Sequence, residues 1–116
     1  MAAKISELTN DAFLGGKLKL LQPKIGFRAG IDSVLLAASV RASSGDRVLD
    51  IGTGVGTALF CLMKRVIGLE AVGIELQEEY HSLATENSMM KYFLTHRTTL
   101  KKCIRSQVIF LVTWPT

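Results

Sequence analysis

Apolar residues in the middle of the chain form two kinds of pattern, which alternate along the sequence. Residues 48–51 and 71–76 are short, mostly apolar runs, which are typical of buried strands. Residues 57–66 are apolar on nearly every side, and residues 77–90 repeat apolar positions at helical spacing, so both segments are predicted helices. The order strand, helix, strand, helix predicts an α/β fold with a doubly wound parallel sheet.

The N-terminal part predicts a hairpin and a helix that precede this sheet. Residues 9–11 are turn-like, and residues 12–20 predict a hairpin whose turn holds two adjacent glycines. Residues 22–30 predict a loop, because a proline and two glycines interrupt them. Residues 33–40 predict a helix that is apolar on most sides and is therefore expected to be buried. Asp32 stands where a helix N-cap is expected.

Three glycines at alternate positions, Gly52, Gly54 and Gly56, follow the first strand of the predicted sheet. This G-x-G-x-G spacing differs from the G-x-G-x-x-G of dinucleotide-binding proteins. Asp50 comes two residues earlier, where a carboxylate suits a positively charged ligand better than a pyrophosphate. Glu75 ends the next strand about 20 residues further on, where an acid accepts hydrogen bonds from ribose hydroxyls. The pattern predicts a pocket for a nucleoside that carries an amino acid.

Residues 48–57 resemble the first motif of the class I S-adenosylmethionine (SAM) methyltransferases, and residues 73–76 resemble the second. The resemblance implies that the glycines line the methionine and ribose portions of SAM, with Asp50 facing the ammonium group and Glu75 binding the ribose hydroxyls. The cofactor-binding residues implied by the two motifs are Asp50, Gly52, Thr53, Gly54, Gly56, Glu75 and Leu76. The alternative is a glycine turn of another doubly wound fold, in which both acids cap strand ends.

The residues before the first motif resemble one branch of the methyltransferase small-domain family, similar to bacterial enzymes that methylate an adenine amine in valine tRNA. The similar segments are residues 13–18, 22–24, 26–32 and 34–38. In that branch the loop before the first helix closes over the methionine end of SAM. The loop residues that the resemblance places beside the cofactor are Arg28, Ala29, Gly30 and Asp32. For Asp32 the N-cap interpretation stays open.

The match covers residues 9–87 and implies an incomplete Rossmann-like doubly wound sheet, preceded by the hairpin and helix. The adenine-methylating branch holds its target amine with an Asn-Pro-Pro-aromatic motif after the fourth strand. The only asparagines in the chain are Asn10 and Asn87 and the only prolines are Pro23 and Pro115, so the motif is absent. We therefore assign no catalytic residue and expect no methyl transfer by this chain alone.

Charge changes abruptly near the end of the match. Residues 1–87 contain nine basic and ten acidic residues, whereas residues 88–116 contain five basic residues and no acidic residue. Apart from a candidate strand at 108–112, this basic tail lacks periodicity. We interpret it as disordered or as the product of a truncated or out-of-frame gene, with an RNA-binding tail as the alternative. The predicted division is 1–45, hairpin, loop and helix; 46–87, β-α-β-α portion of a SAM-binding domain; 88–116, tail.

Composition narrows the remaining functions. No apolar run approaches the ~18 residues of a membrane span, and the N-terminus has no signal-peptide core. Cys61 and Cys103 lack C-x-x-C spacing, so we expect no metal and a cytoplasmic protein, with tRNA as partner by resemblance. Two alternatives stay open. One is a non-enzymatic SAM-binding fragment or partner-dependent subunit, which associates through unpaired sheet edges. The other is a nicotinamide-dependent oxidoreductase fragment, against which Asp50 and the glycine spacing argue.

Overall fold

The computed structural model describes residues 7–26, 28–89, 97–102 and 110–114. The strands are β1 (Leu8–Phe13), β2 (Leu18–Pro23), β3 (Arg47–Ile51), β4 (Glu70–Glu75), β5 (Arg97–Lys102) and β6 (Phe110–Trp114). The helices are α1 (Ile31–Ser39), α2 (Thr57–Arg65) and α3 (Glu78–Ser88).

The central sheet has the strand order β5-β4-β3-β6. Strand β4 pairs in parallel with β3 and β5, whereas β6 pairs with β3 in the antiparallel direction. The three parallel strands follow the order 3-2-1, which is one half of a doubly wound sheet. The predicted fold, an incomplete doubly wound sheet preceded by a hairpin and a helix, is confirmed.

The hairpin is longer than the sequence predicts. Strands β1 and β2 pair from Leu8 opposite Pro23 to Phe13 opposite Leu18, so residues 9–11 lie in a strand and not in a turn. Strand β2 continues through Pro23 and therefore includes the start of the predicted loop. Its alternate residues Leu18 and Leu20 are fully buried, and β2 lies against α2 and α3. This burial is consistent with a strand that includes Gln22 and Pro23, which the sequence assigns to the loop.

Helix α1 differs from its prediction in both its start and its burial. Its N-cap is Gly30, which makes no side-chain capping bond, and Asp32 lies exposed in the first turn, so the N-cap interpretation of Asp32 is wrong. Only Ala37 of this helix is buried, because α1 lies against α2 along one side. Ile31 and Leu35 are 71% and 61% exposed, so an apolar helix here does not imply a buried helix.

The core forms where α2 covers the sheet. Residues 57–63 are all buried, as their apolar pattern predicts. The turn before α2 requires glycine at Gly56, which has a φ of 93° and whose added Cβ would overlap the ring of Phe60. At the other end of α2, the Arg65 guanidinium donates to the carbonyls of Ala37 (2.9 Å) and Val40 (2.6 Å). Arg65 therefore satisfies the last carbonyls of the neighbouring helix α1.

Two strands lie in the part of the chain that the sequence analysis interprets as a tail. Strand β5 has no counterpart in the prediction, and β6 overlaps the candidate strand at 108–112 but begins and ends two residues later. The Nε2 atom of His81 in α3 lies 3.3 Å from the carbonyl oxygen of Leu100 in β5, and the His81 side chain is half-buried.

The described residues contain no helix long and apolar enough to cross a bilayer. Within the same residues, no group of three or more His, Cys, Asp and Glu side chains is arranged to hold a metal ion. Cys61 is a buried free thiol whose pKa burial raises to about 11. Cys103 lies outside the described residues.

Candidate cofactor site

The candidate site lies at the edge of the sheet where the parallel strands β3 and β4 end. The loop that joins β3 to α2 contains three glycines with positive φ: Gly52 (79°), Gly54 (61°) and Gly56 (93°). The N–H groups of Gly52 and Thr53 both donate to the carbonyl of Ile74, at 2.8 and 2.9 Å. The loop therefore turns across the end of β4, at the edge where doubly wound folds bind ligands.

Glu75 fastens the glycine loop to the end of β4. Its carboxylate is buried and accepts the N–H of Gly54 at 2.7 Å on one oxygen and the N–H of Gln77 at 2.9 Å on the other. A carboxylate oxygen has more than one acceptor position. Glu75 therefore has a structural role here, and each oxygen retains the capacity to accept a further hydrogen bond.

Asp50 is more deeply buried than Glu75 and has fewer partners. One carboxylate oxygen accepts the Thr53 hydroxyl at 2.7 Å, and the other oxygen, Oδ1, is buried and has no hydrogen-bond partner. Burial, with a smaller contribution from the charge of Glu75, raises the pKa of Asp50 to about 6 against the lowering effect of the Thr53 hydrogen bond. An ionised carboxylate with a buried, free oxygen favours a ligand that brings a positive charge and a hydrogen-bond donor.

A cavity of about 80 Å³ opens next to Asp50. The residues that line it are Ala29, Asp32, Ser33, Leu36, Asp50, Gly52, Thr53, Val55, Thr57 and Ala58. The hydroxyl oxygen of Thr57 is also buried without a hydrogen-bond partner. The lining of the cavity therefore includes two residues, Asp50 and Thr57, that each have a buried side-chain oxygen without a hydrogen-bond partner.

The cavity gathers some of the residues expected from the sequence. The expected residues that line it are Asp32, Asp50, Gly52 and Thr53, together with Ala29. The expected residues outside its lining are Arg28, Gly30, Gly54, Gly56, Glu75 and Leu76. The lining residues that the sequence analysis misses are Ser33, Leu36, Val55, Thr57 and Ala58. The feature of the sequence that could have identified them is their position, since each lies in the glycine turn or on the cavity-facing side of α1 or α2.

Arg28 takes part in a polar network on the hairpin, away from the cavity. Its guanidinium donates to the Thr9 hydroxyl (2.9 Å), the Pro23 carbonyl (2.7 Å) and the Asp11 carboxylate (2.9 Å). The hydrogen bond from the Thr9 hydroxyl, with smaller effects of Gln22 and Arg28, holds the pKa of Asp11 below its usual value. Arg28 therefore holds the loop to the hairpin, and its neighbour Ala29 lines the cavity, whereas Arg28 does not.

The cavity fits part of a SAM-like ligand. Its volume is well below the ~300–1,000 Å³ of pockets that enclose a whole drug-sized ligand. The free oxygen of Asp50 suits an ammonium group, and Gly52 adds no side chain to the lining. The Asp50 carboxylate therefore fits the ammonium group at the amino-acid end of SAM.

Comparison with known proteins finds similarity to a bacterial tRNA-modifying enzyme. The chain is 39% identical over 86 residues to the tRNA1(Val) (adenine(37)-N6)-methyltransferase of Proteus mirabilis strain HI4320. The alignment covers 73% of this chain and 34% of that protein, so the chain spans about a third of the length of this relative. No protein-family model matches the chain.

The fold has a counterpart among solved structures. The chain superposes on the X-ray structure of YjhP from E. coli with a TM-score of 0.50 and 19% sequence identity, over 66% of this chain and 32% of that one. The strand order, the glycine turn and the sequence similarity agree with one another. The chain therefore has a mixed α/β fold that is consistent with part of a class I methyltransferase, and it is similar in sequence to the N-terminal portion of the Proteus mirabilis methyltransferase.

Proposed function

We propose that this chain provides the amino-acid side of a SAM site in a methyltransferase that acts on an adenine amine of tRNA. The observation that carries the proposal is that Asp50 and Thr57, each with a buried and unpartnered side-chain oxygen, both line one cavity beside the glycine turn. The substrate follows from the name of the Proteus relative. A cytoplasmic location follows from that substrate.

Each residue of the proposed site has a distinct task. SAM, when bound, supplies an electrophilic methyl group on a sulfonium. Asp50 accepts hydrogen bonds from the ammonium group with its free oxygen and neutralises its charge, while the Thr53 hydroxyl keeps the carboxylate oriented. Glu75 holds the glycine loop and accepts ribose hydroxyls with its remaining lone pairs.

The chain lacks the Asn-Pro-Pro-aromatic motif with which the resembled branch orients the adenine amine. We therefore propose that it does not transfer methyl groups alone, and that it acts as a SAM-binding fragment or as a subunit completed by a partner. Strands β5 and β6 are the edges of the sheet that such a partner would extend. A nicotinamide cofactor fits less well, because the Asp50 carboxylate would lie against a pyrophosphate.

Calorimetric titration with S-adenosylhomocysteine tests the proposal, because this ligand retains the amino acid and the nucleoside. We expect binding to the wild-type chain, a loss of about tenfold or more in affinity for Asp50→Asn, and no binding of NAD. Glu70→Gln is the matched control, since Glu70 lies at the opposite end of β4 in a surface ion pair with Arg47. Absence of binding by the wild type, or equal binding by Asp50→Asn, would overturn the proposal.

Incubation with tRNA and labelled SAM tests the proposal that the chain does not transfer methyl groups alone. We expect no incorporation of label by the purified chain, because no residue replaces the missing motif. Incorporation at an adenine would show that the chain is itself an enzyme and would contradict the proposed dependence on a partner.

A further inference from the structure

Asn87, at the C-terminal end of α3, bridges two elements that lie far apart in the sequence. Its side chain is completely buried. The amide oxygen accepts the N–H of Leu21 at 2.8 Å, and the amide nitrogen donates to the carbonyls of Leu21 at 3.1 Å and Val55 at 3.0 Å. Asn87 therefore binds strand β2 of the hairpin on one side and the glycine loop on the other.

The contacts of Asn87 lead to two residues that form walls of the cavity. Val55 itself lines the cavity. On the other side Leu21 adjoins Gln22, which is buried and whose amide oxygen accepts the N–H of Ala29 at 2.8 Å. Ala29 lines the cavity as well. The contacts from Asn87 through Leu21 and Gln22 to Ala29, and from Asn87 to Val55, thus form a ring of contacts that begins and ends at the cavity.

We propose that Asn87 is a positioning residue that fixes the spacing of these two walls and thereby sets the affinity for the cofactor without touching it. This inference rests on the proposed function, because it concerns the affinity of the same cavity. A carboxamide suits the position, since it offers an acceptor and two donor hydrogens on one small planar group. An aspartate in its place keeps the acceptor for Leu21 but sets a carboxylate against two carbonyl oxygens.

The test separates positioning from a loss of stability. The variant is Asn87→Asp, and the matched control is Leu83→Ala, which removes a buried side chain from the same helix without breaking the ring of contacts. Affinity for S-adenosylhomocysteine is measured by calorimetry under conditions where circular dichroism reports each variant as folded. We expect Asn87→Asp to bind about tenfold more weakly than the wild type, and Leu83→Ala to bind as the wild type does.

Amide hydrogen exchange provides a second readout, which a purely structural role would not move selectively. The Ala29 and Gly56 amides are both hydrogen-bonded, and they report on the two walls. We expect faster exchange at these amides in Asn87→Asp than in Leu83→Ala. Amides in the middle of α2 serve as the reference and are expected to exchange at the same rate in both variants. Equal exchange at the walls in both variants would overturn the inference.

The outcomes distinguish this inference from the proposed function. Absence of binding by the wild type would overturn both, whereas wild-type binding that Asn87→Asp retains in full would overturn the positioning role alone. If Asn87→Asp does not fold, Gln22→Met replaces it, because this variant breaks the same ring at Ala29 and leaves Asn87 intact. Weaker binding by Gln22→Met then supports the inference, and unchanged binding overturns it.

Discussion

The neighbouring strands β3 and β4 each have a carboxylate at or next to their last residue, and the two carboxylates differ in their hydrogen bonds. At the end of β4, both oxygens of Glu75 accept backbone N–H groups, from Gly54 and Gln77. At the end of β3, Asp50 has one oxygen bonded to Thr53 and the other buried without a partner. A carboxylate whose oxygens are both engaged stabilises the loop around it, whereas one with a free buried oxygen is costly until a ligand arrives.

The largest effect is expected at Glu75. Glu75→Leu removes the acceptor from two N–H groups, and each buried, unsatisfied N–H costs about 1–3 kcal/mol. We therefore expect the free energy of unfolding in urea to fall by about 2–5 kcal/mol. Glu70→Gln, at the other end of the strand, serves as control, with a change below about 1 kcal/mol. Equal stability of the two variants would show that Glu75 does not fasten the loop.

Substitution of Asp50 is expected to change the free energy of unfolding in the opposite direction to substitution of Glu75. Asp50→Asn removes a buried charge but retains an oxygen that can accept the Thr53 hydroxyl bond. We expect the free energy of unfolding at pH 8 to rise by roughly 1–3 kcal/mol, while affinity for S-adenosylhomocysteine falls. Urea unfolding with and without the ligand measures both changes. A loss of stability would place Asp50 with Glu75, as a structural group.

The pH dependence sharpens the same contrast. Because the pKa of Asp50 is raised from an ordinary value of 3.8 to about 6, the folded chain binds more protons than the unfolded chain between these values. The contribution of Asp50 to stability is therefore complete below pH 3.8 and is lost as the pH rises through 6. We expect the difference in unfolding free energy between wild type and Asp50→Asn to change across this window. A constant difference would contradict the raised pKa.

The smallest effect is expected at Gly54, which donates to Glu75. Gly54→Ala keeps the N–H, and no atom lies within 4 Å of the added Cβ, so only the left-handed backbone resists the change. We expect a loss of about 1–2 kcal/mol in urea unfolding. Gly15→Ala is a close match, with a φ of 65° and equally open space. A clearly larger loss at Gly54 would reveal strain passed on to the Glu75 contact.

The sequence predicted the elements whose signals are local. The glycine turn, the apolar helix α2 and the acids that end β3 and β4 each depend on residues within a few positions of one another. The placement of Asp50 and Glu75 at one edge then follows from the rule that parallel strands end on the same side of a sheet. The predicted burial of helix α1 is wrong because an apolar pattern does not indicate how much neighbouring surface is present to cover the helix.

The contacts that shape the cavity could not be predicted in the same way. Asn87 and Leu21 are separated by 66 positions, and Asn87 and Val55 by 32, and nothing in the sequence pairs them. The position of Arg28 depends on Thr9 and Asp11, whose strand was interpreted as a turn. Strand β5 was missed because its sequence is mostly Thr, Lys and Arg, with Leu100 as its single large apolar residue.

The antiparallel direction of β6 decides which way the chain travels past the candidate site. Phe110, the first residue of β6, lies opposite Ile51, and Trp114, the last, lies opposite Arg47. A parallel strand in this position would carry the residues that follow it to the edge where Asp50 lies. Strand β6 instead ends at Trp114, about 13 Å from Phe110, at four steps of ~3.3 Å along the strand. The C-terminal end of β6 therefore lies at the edge of the sheet opposite to the one that holds Asp50 and the cavity.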